Sequence, residues 1–190
     1  MDYKTLQSYI EPVIALAEDE LALLLSCATK LQLKKNEQLL KQGEVCRAFY
    51  LVESGYLRTY YDRDGVAINM NFTFEGDFTA NLRSYRSRQP SEMIIEAGED
   101  SIIWIFNMRE IAEQYDVYPQ VSRFVRRLAI TQLLASQEHS DLIKLNTPAE
   151  RYRHIEKNNP QLLQRVSLSQ LASYLGVTRE TLSRVRAKNN

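Results

Sequence analysis

The residues best suited to specific chemistry lie near the C-terminus of this 190-residue chain, in the stretch VSLSQLASYLGVTRETLSRVRAK (Val166–Lys188). A helical repeat beginning after Thr178 places polar and charged side chains on one outward face. They are Thr178, Arg179, Glu180, Ser183, Arg184 and Arg186. Arginine can donate two hydrogen bonds to guanine, and glutamate can accept one from cytosine. This face therefore predicts contacts with DNA bases, and a merely solvent-exposed polar face is the alternative.

The residues around this face predict the element that positions it, a helix-turn-helix. Gly176 lies where a tight turn between two short helices needs a left-handed backbone, and Thr178 is a residue type favoured at helix N-caps. Small Ala172 permits close approach of the second helix. The apolar inner positions are Leu171, Ala172, Leu175, Val177, Leu182 and Val185.

Charge is distributed unevenly along the chain. The 24 Lys+Arg and 24 Asp+Glu residues cancel over the whole sequence. Residues 1–143 contain 15 basic and 21 acidic residues, a net charge of −6, whereas residues 144–190 contain 9 and 3, a net charge of +6. Because phosphate neutralisation supplies much non-specific DNA affinity, a basic tail on an acidic body is typical of a nucleic-acid reader with a separate sensing or assembly domain. A merely basic surface is the alternative.

The middle of the chain has the pattern of an antiparallel β-roll or barrel. Between Leu31 and Asn107, short apolar and aromatic runs alternate with turn signals, of which Asp64-Gly65 is the strongest indication of a hairpin. The residues up to about Thr29 have helical spacing that is broken near Pro12. Helical periodicity returns after Asn107, so the predicted fold class is α+β.

A long helix is predicted from Pro119, and the capping box Thr147-Pro148-Ala149-Glu150 starts a new helix after it. Its apolar stripe contains Val121, Val125, Leu128 and Ala135, whereas Ile130, Leu133 and Leu134 lie off the stripe. The helix could contact both its own roll and a second chain, or be an ordinary core helix. The predicted domains are a roll with N-terminal helices (1–117), the long helix and hinge (118–145) and the helix-turn-helix domain (146–190).

In this order of elements, the chain resembles the Crp/Fnr superfamily of bacterial transcription regulators over nearly its whole length. Gly43-Glu44 and FYLVESGYLRTYY (Phe49–Tyr61) resemble the start of that family's cyclic-nucleotide-binding-like roll, and GVTRETLSR (Gly176–Arg184) is similar to its recognition-helix motif. The resemblance implies a cytoplasmic homodimer that binds double-stranded DNA and RNA polymerase. On the same ground, the base-reading residues are Arg179, Glu180 and Arg184, and the dimer interface is Val121, Val125, Leu128 and Ala135. Family members usually continue into a β-hairpin wing, so we expect the wing to be missing or truncated in a sequence that stops at Asn190.

The effector pocket is where the sequence departs from the family. Members that bind cyclic nucleotides hold the ribose with Gly-Glu and the phosphate with Arg followed by Ser or Ala; here those segments read Gly76-Asp77 and Gln89-Pro90-Ser91-Glu92. Without the arginine, and with Glu92 nearby, tight binding of a cyclic nucleotide is not expected. The candidate pocket residues that the resemblance implies are Gly76, Asp77, Arg86, Arg88, Ser91, Arg127 and Thr131. A solvated loop, or another small-molecule effector bound by Arg83, Arg86 and Arg88, are the alternatives.

The sequence disfavours a metal or redox cofactor. Two cysteines (Cys27, Cys46) and two histidines (His139, His154) are too few and too dispersed for an iron–sulfur cluster, a haem site or a zinc site. A cupin-like metal enzyme needs histidines on strands, and neither lies in the strand region, so no catalytic residue is predicted. We find no signal peptide or membrane helix, which favours a cytoplasmic protein with no membrane partner. The alternative function is a sensor or interaction module whose helical tail binds protein rather than DNA.

Overall fold

The computed structural model describes residues 4–189. The helices are α1 (Lys4–Ile10), α2 (Glu18–Ser26), α3 (Leu82–Ser87), α4 (Met108–Ala112), α5 (Pro119–Leu145), α6 (Pro148–Asn158), α7 (Pro160–Arg165), α8 (Leu168–Tyr174) and α9 (Arg179–Asn189). The strands are β1 (Ala28–Leu33), β2 (Gln38–Leu40), β3 (Ala48–Ser54), β4 (Leu57–Arg63), β5 (Val66–Thr73), β6 (Phe78–Thr79), β7 (Met93–Ala97) and β8 (Ser101–Asn107). This mixture of helices and antiparallel strands confirms the predicted α+β class. None of these helices has the length and apolar character needed to cross a lipid bilayer.

The described chain divides into two compact units. Unit 1 comprises residues 4–57 and 73–133, and unit 2 comprises residues 58–72 and 134–189. These units divide the chain differently from the three domains expected from the sequence, which stay a prediction. Helix α5 contributes to both, and the hairpin of β4 and β5 groups with the C-terminal helices.

The sheet of unit 1 has the strand order β1-β8-β3-β6, and β8 pairs antiparallel with both of its neighbours. Trp104 on β8 lies opposite Lys30 on β1 and Leu51 on β3. Strands β2 and β7 form a further antiparallel pair. Strand β1 starts at Ala28, slightly before the expected end of the N-terminal helical stretch, and α3 was not predicted.

Alternation along β3 and β8 builds two apolar clusters in unit 1, because successive strand residues point to opposite faces. Phe49, Leu51 and Trp104 belong to a cluster with the apolar faces of α1, α2, α4 and α5. Tyr50 and Val52 belong to the second cluster, on the other face of the same strand. Each strand is thus buried on both faces, which explains the near-continuous apolar runs in the sequence.

The first half of α5 packs into the first of these clusters. Val121 and Leu128 are 0% and 5% exposed, and Val125 is half-buried against the same cluster. Gln132 on this side donates to the Phe78 carbonyl over 3.0 Å. The burial of Val121 and Leu128 within this chain argues against the predicted assignment of this stripe to a dimer interface, and only Ala135 of the four predicted residues is exposed.

The turns follow the sequence-based expectations at several positions. Asp64 and Gly65 both have positive φ, 55° and 81°, as the predicted β4–β5 hairpin requires. Gly55, between β3 and β4, has a φ of +84°, and a Cβ atom there would lie 2.8 Å from the Asp100 carbonyl oxygen. At this turn, glycine is needed for both conformation and space.

We expect Gly55→Ala to lower the free energy of unfolding by about 2–5 kcal/mol, because left-handed strain and overpacking add. Gly43→Ala is the matched control: Gly43 has a φ of +89°, but a Cβ there would meet nothing within 4 Å. The control should lose only about 1–2 kcal/mol. Urea unfolding followed by circular dichroism measures both, and equal losses would contradict the steric argument.

Candidate nucleic-acid interface

The predicted helix-turn-helix is formed by α8 and α9. The Ser167 side chain accepts from the Gln170 backbone N–H at the start of α8, as the capping box predicted. The turn follows Leu175: Gly176 has a φ of +64°, and the Val177 N–H donates to the Ala172 carbonyl over 3.0 Å. Thr178 then caps α9, accepting from the Thr181 N–H over 3.2 Å. Each of these local features is encoded by residue types noted in the sequence.

The inner faces of the two helices form the core of this segment. Helix α9 packs against α6 and α8. Leu182 on α9 is 1% exposed and Leu175 before the turn is fully buried, whereas Val177 and Val185 are half-buried. The other buried apolar side chains of this segment are Tyr152, Ile155, Leu162, Val166, Leu171 and Ala172. One face of α9 is thereby fixed and the opposite face is left in solvent.

The solvent face of α9 carries every residue predicted to read DNA. Thr178, Arg179, Glu180, Ser183, Arg184 and Arg186 are all exposed. The Arg184 Nε donates to the Glu180 carbonyl one turn earlier, at 3.4 Å. The pKa of Glu180 is lowered by hydrogen bonds from its own backbone N–H and from Thr178, and further by Arg179 and Arg184. The carboxylate is therefore ionised and held at the N-terminus of α9, where a helix favours negative charge.

Arg151 on α6 joins the C-terminal ends of two other helices. Its guanidinium donates to the carbonyl oxygens of Ile143 (2.5 Å) and Asn146 (2.9 Å) at the end of α5. It also donates to the carbonyl of Leu175 (2.8 Å), which follows α8. The last carbonyls of a helix lack partners within the helix and carry partial negative charge. The half-buried Arg151 side chain thus satisfies three of these carbonyl oxygens and connects α8 to α5 and α6.

The β4–β5 hairpin also contacts α8. The Ser173 hydroxyl accepts from the Asn69 N–H (3.0 Å) and donates to the Ala67 carbonyl (2.9 Å). The Asn69 side-chain amide donates to the Gln170 carbonyl over 3.4 Å. Ser173 therefore bonds two backbone positions of β5 as a neighbouring strand would, which explains why this hairpin groups with unit 2.

Aromatic contacts continue this packing at Tyr174. Phe72 meets the Tyr174 ring edge-on at 5.4 Å, and His139 of α5 stacks on it at 4.1 Å. The His139 Nε2 lies 2.8 Å from the Tyr174 carbonyl oxygen, which can only accept, so Nε2 carries the proton. Burial lowers the pKa of His139, although this hydrogen bond opposes the shift. The neutral imidazole is thus the form favoured by this packing.

The candidate effector residues have separate contacts. Ser91 is buried: its hydroxyl accepts from the Asn81 amide (2.7 Å) and donates to the Met93 carbonyl (2.6 Å). The Arg127 guanidinium donates to the Val13 carbonyl over 2.6 Å, and Thr131 is exposed. The N–H of Gly76 donates to Val52. Asp77, Arg83 and Arg86 are exposed, and Arg88 lines a cavity that none of the other candidates lines.

No metal site is formed in the described part of the chain: no group of three or more His, Cys, Asp or Glu side chains is placed to hold an ion. Cys27 and Cys46 are buried free thiols. Burial raises the pKa of both, which disfavours the thiolate that a metal requires.

Comparison with known proteins identifies the fold. Residues 30–118 match the family model of the cyclic nucleotide-binding domain. A protein from Eubacterium rectale described as a transcriptional regulator of the Crp/Fnr family superposes with a TM-score of 0.70 at 20% identity, covering 91% of this chain and 83% of that one. The chain has the Crp/Fnr fold.

Two further solved structures share this Crp/Fnr fold. FixK2 from Bradyrhizobium japonicum matches with a TM-score of 0.71 at 22% identity, covering 85% of this chain and 83% of that one. The catabolite activator protein of Thermus thermophilus matches with a TM-score of 0.57 at 22% identity, covering 93% and 85%. No curated protein sequence matches this chain significantly.

Sequence reasoning missed Arg151, Ser173 and Asn69. Arg151 was counted with the basic tail, whereas its charge is directed at helix carbonyls. A signal existed, since an arginine one residue after a capping box lies on the first turn of a helix, close to the end of the preceding one. No local signal marks Ser173 and Asn69, which are 104 residues apart.

We expect Arg151→Met to lower the free energy of unfolding by about 2–4 kcal/mol, because three carbonyls lose a charged donor. Arg153→Met is the matched control on the same helix, where the arginine is exposed, and it should change stability by less than about 0.5 kcal/mol. Chemical denaturation measures both variants. Equal, small effects would mean that water replaces the guanidinium at these carbonyls.

Proposed function

We propose that this protein is a dimeric, sequence-specific DNA-binding transcription regulator of the Crp/Fnr type. The observation that carries the proposal is the solvent face of α9, where the six predicted DNA-reading residues are exposed on a helix fixed from behind by α6 and α8. A helix held in this way can enter the major groove with its N-terminal residues toward the bases. The proposal includes no catalytic activity.

The roles of the residues follow from their contacts. Arg184 has its long side chain in solvent and can donate two hydrogen bonds to guanine. Arg179 is the first residue of α9, where it would contact a base edge or a phosphate. Arg186 and Lys188 would contact the phosphate backbone of the DNA. The Glu180 carboxylate would accept a hydrogen bond from cytosine. To do so it would give up part of its hydrogen bonding to its own backbone N–H and to Thr178.

Dimerisation is proposed through a different face of α5 from the one expected. Ile130, Leu133 and Leu134 are 49%, 64% and 53% exposed, and their spacing places them on one face. Ala135 lies on the opposite side of the helix. A second α5 packed on the exposed face would remove these apolar side chains from water and bring two reading helices to one DNA duplex.

The effector, if a regulator of this type uses one, is proposed not to be a cyclic nucleotide. The hydroxyl of Ser91 is already engaged, and Pro90 replaces the arginine that would precede it. A cyclic phosphate would therefore lose its strongest donor and find no free hydroxyl at this position.

We expect Arg184→Ala to remove about 1–3 kcal/mol of discrimination between specific and non-specific DNA, with no loss of stability. Binding-site selection gives the operator, which should be an inverted repeat with half-sites about one helical turn apart. Fluorescence anisotropy over a salt series then compares the variants. Arg153→Ala, which removes one exposed charge from α6, should keep the wild-type preference. Failure to select any sequence, with no salt-dependent DNA binding, would favour the protein-binding alternative.

We expect Leu133→Glu with Leu134→Glu to weaken the dimer by about a hundredfold, because two apolar side chains are lost from the interface. Ala135→Glu is the control on the opposite face and should leave the dimer intact. Sedimentation at micromolar concentration measures both variants. If Ala135→Glu dissociated the dimer and the leucine variant did not, the interface would be the stripe predicted from the sequence and the present proposal would be wrong.

We expect cyclic AMP and cyclic GMP to bind weakly, because the site lacks one or two charge-assisted hydrogen bonds to the phosphate. The loss of these bonds should reduce the affinity by about tenfold to several hundredfold. Calorimetry on the wild-type protein measures this affinity. Low-micromolar binding that also changes DNA affinity would contradict the expectation.

A further inference from the structure

A surface cavity of about 790 Å³ lies in unit 1, where α2, β3, β8 and α4 meet. Its lining includes the apolar side chains Val45, Ala48 and Ile105, and the guanidinium-bearing side chains Arg47, Arg88 and Arg109. This volume lies in the range of about 300–1,000 Å³ that small-molecule sites occupy. We propose that this cavity, named here the arginine cleft, binds a small organic anion with an apolar body, specifically a phosphate monoester.

The charges of the arginine cleft favour an anion. Within residues 4–189, neither Arg47 nor Arg88 has a carboxylate partner at salt-bridge distance. Arg109 pairs through Nε with Glu113 at 3.2 Å, in a pair that is largely exposed. The acidic lining residue Glu110 accepts a hydrogen bond from the Asn107 amide. The lining thus contains three arginines and one carboxylate, Glu110, which is already hydrogen-bonded, although residues 1–143 are acidic overall.

The Arg88 side chain is held in position. Its backbone has a φ of 60° at the C-cap of α3, where glycine is the usual residue. Its guanidinium lies 5.2 Å from the centre of the Tyr85 ring, and Tyr85 in turn contacts the buried Phe49 edge-on at 5.9 Å. A non-glycine residue in this conformation is a recurrent feature of ligand sites. Within residues 4–189, the Arg88 guanidinium makes no side-chain hydrogen bond or ion pair, so its N–H groups can bind a phosphate.

Backbone hydrogen bonds join the walls of the arginine cleft. The Asn107 N–H donates to the Cys27 carbonyl over 3.0 Å, and the Met108 N–H donates to the Arg47 carbonyl over 3.3 Å. The end of β8 is therefore tied to both the end of α2 and the loop before β3. A cleft framed in this way exists before a ligand arrives, which lowers the entropic cost of binding.

The combination of surfaces defines the ligand class. Planar guanidinium groups match phosphate oxygens with paired hydrogen bonds, while the apolar lining can cover an alkyl or aryl group. Inorganic phosphate would leave the apolar lining in water, and an uncharged alkyl compound would leave the arginines unpaired. Apart from Arg88, none of the residues implied for the cyclic-nucleotide pocket lines this cleft.

Isothermal titration calorimetry with octyl phosphate tests the proposal, with inorganic phosphate and 1-octanol as single-feature probes. We expect octyl phosphate to bind at least about tenfold more tightly than either probe. Arg47→Gln combined with Arg88→Gln should weaken its binding by about tenfold to a hundredfold. Arg63→Gln combined with Arg123→Gln, at exposed positions outside the cleft, should leave it unchanged.

Three results would overturn the proposal: no binding of octyl phosphate at millimolar concentration, equal affinity in the Arg47/Arg88 double variant, or octanol binding as tightly as octyl phosphate. Circular dichroism and thermal melting establish that the double variant is folded, so its result is interpretable. The titration contains no DNA, so it can fail or succeed independently of the proposed function.

Discussion

The three hydrogen bonds from Arg151 to carbonyl oxygens fix α8 relative to the end of α5. The proposed DNA-reading helix, α9, depends on this arrangement. They join the ends of α5 and α8, two places where backbone acceptors have no helical partner. The orientation of α8 then determines that of α9, because the Gly176 turn and the buried Leu175 and Leu182 leave little freedom between them. A single side chain thus links the long helix to the surface that carries the exposed arginines.

Helix α5 has two apolar faces with different surroundings. Val121, Phe124 and Leu128 complete the core of unit 1, whereas Leu133 and Leu134 remain in solvent. Periodicity alone could not assign these roles, because a 3.6-residue repeat identifies a face but not what covers it. The exposed face has only three apolar residues, all in the later part of the helix, whereas the buried stripe begins at Val121. The sequence pattern therefore favoured the longer stripe as the dimer interface. The burial of Val121 and Leu128 within the chain argues against that assignment.

Local chemistry made much of the fold predictable from sequence. Asp64-Gly65, the caps at Thr147 and Ser167, and the Gly176 turn depend on side chains and φ angles within a few residues. The predicted DNA-reading residues are exposed for the same reason, since their face follows from helix geometry. The contacts of Ser173 with β5 and the engagement of Ser91 by Asn81 depend on long-range packing. No residue spacing encodes such contacts, so the sequence could not predict that the Ser91 hydroxyl is already engaged.

The net charge of +6 in residues 144–190 overstates the cations available to DNA. Arg151 directs its charge to carbonyls, so it is absent from any phosphate-facing surface. Glu180 adds a negative charge on the reading face, and its lowered pKa keeps it ionised at neutral pH. In the proposed DNA complex, non-specific attraction, which scales with the number of phosphates neutralised, would therefore be weaker than the net charge suggests. Specific contacts by Arg184 and Arg179 would then contribute a larger share of operator affinity, and the second helix supplied by a dimer would matter more than the basic tail itself.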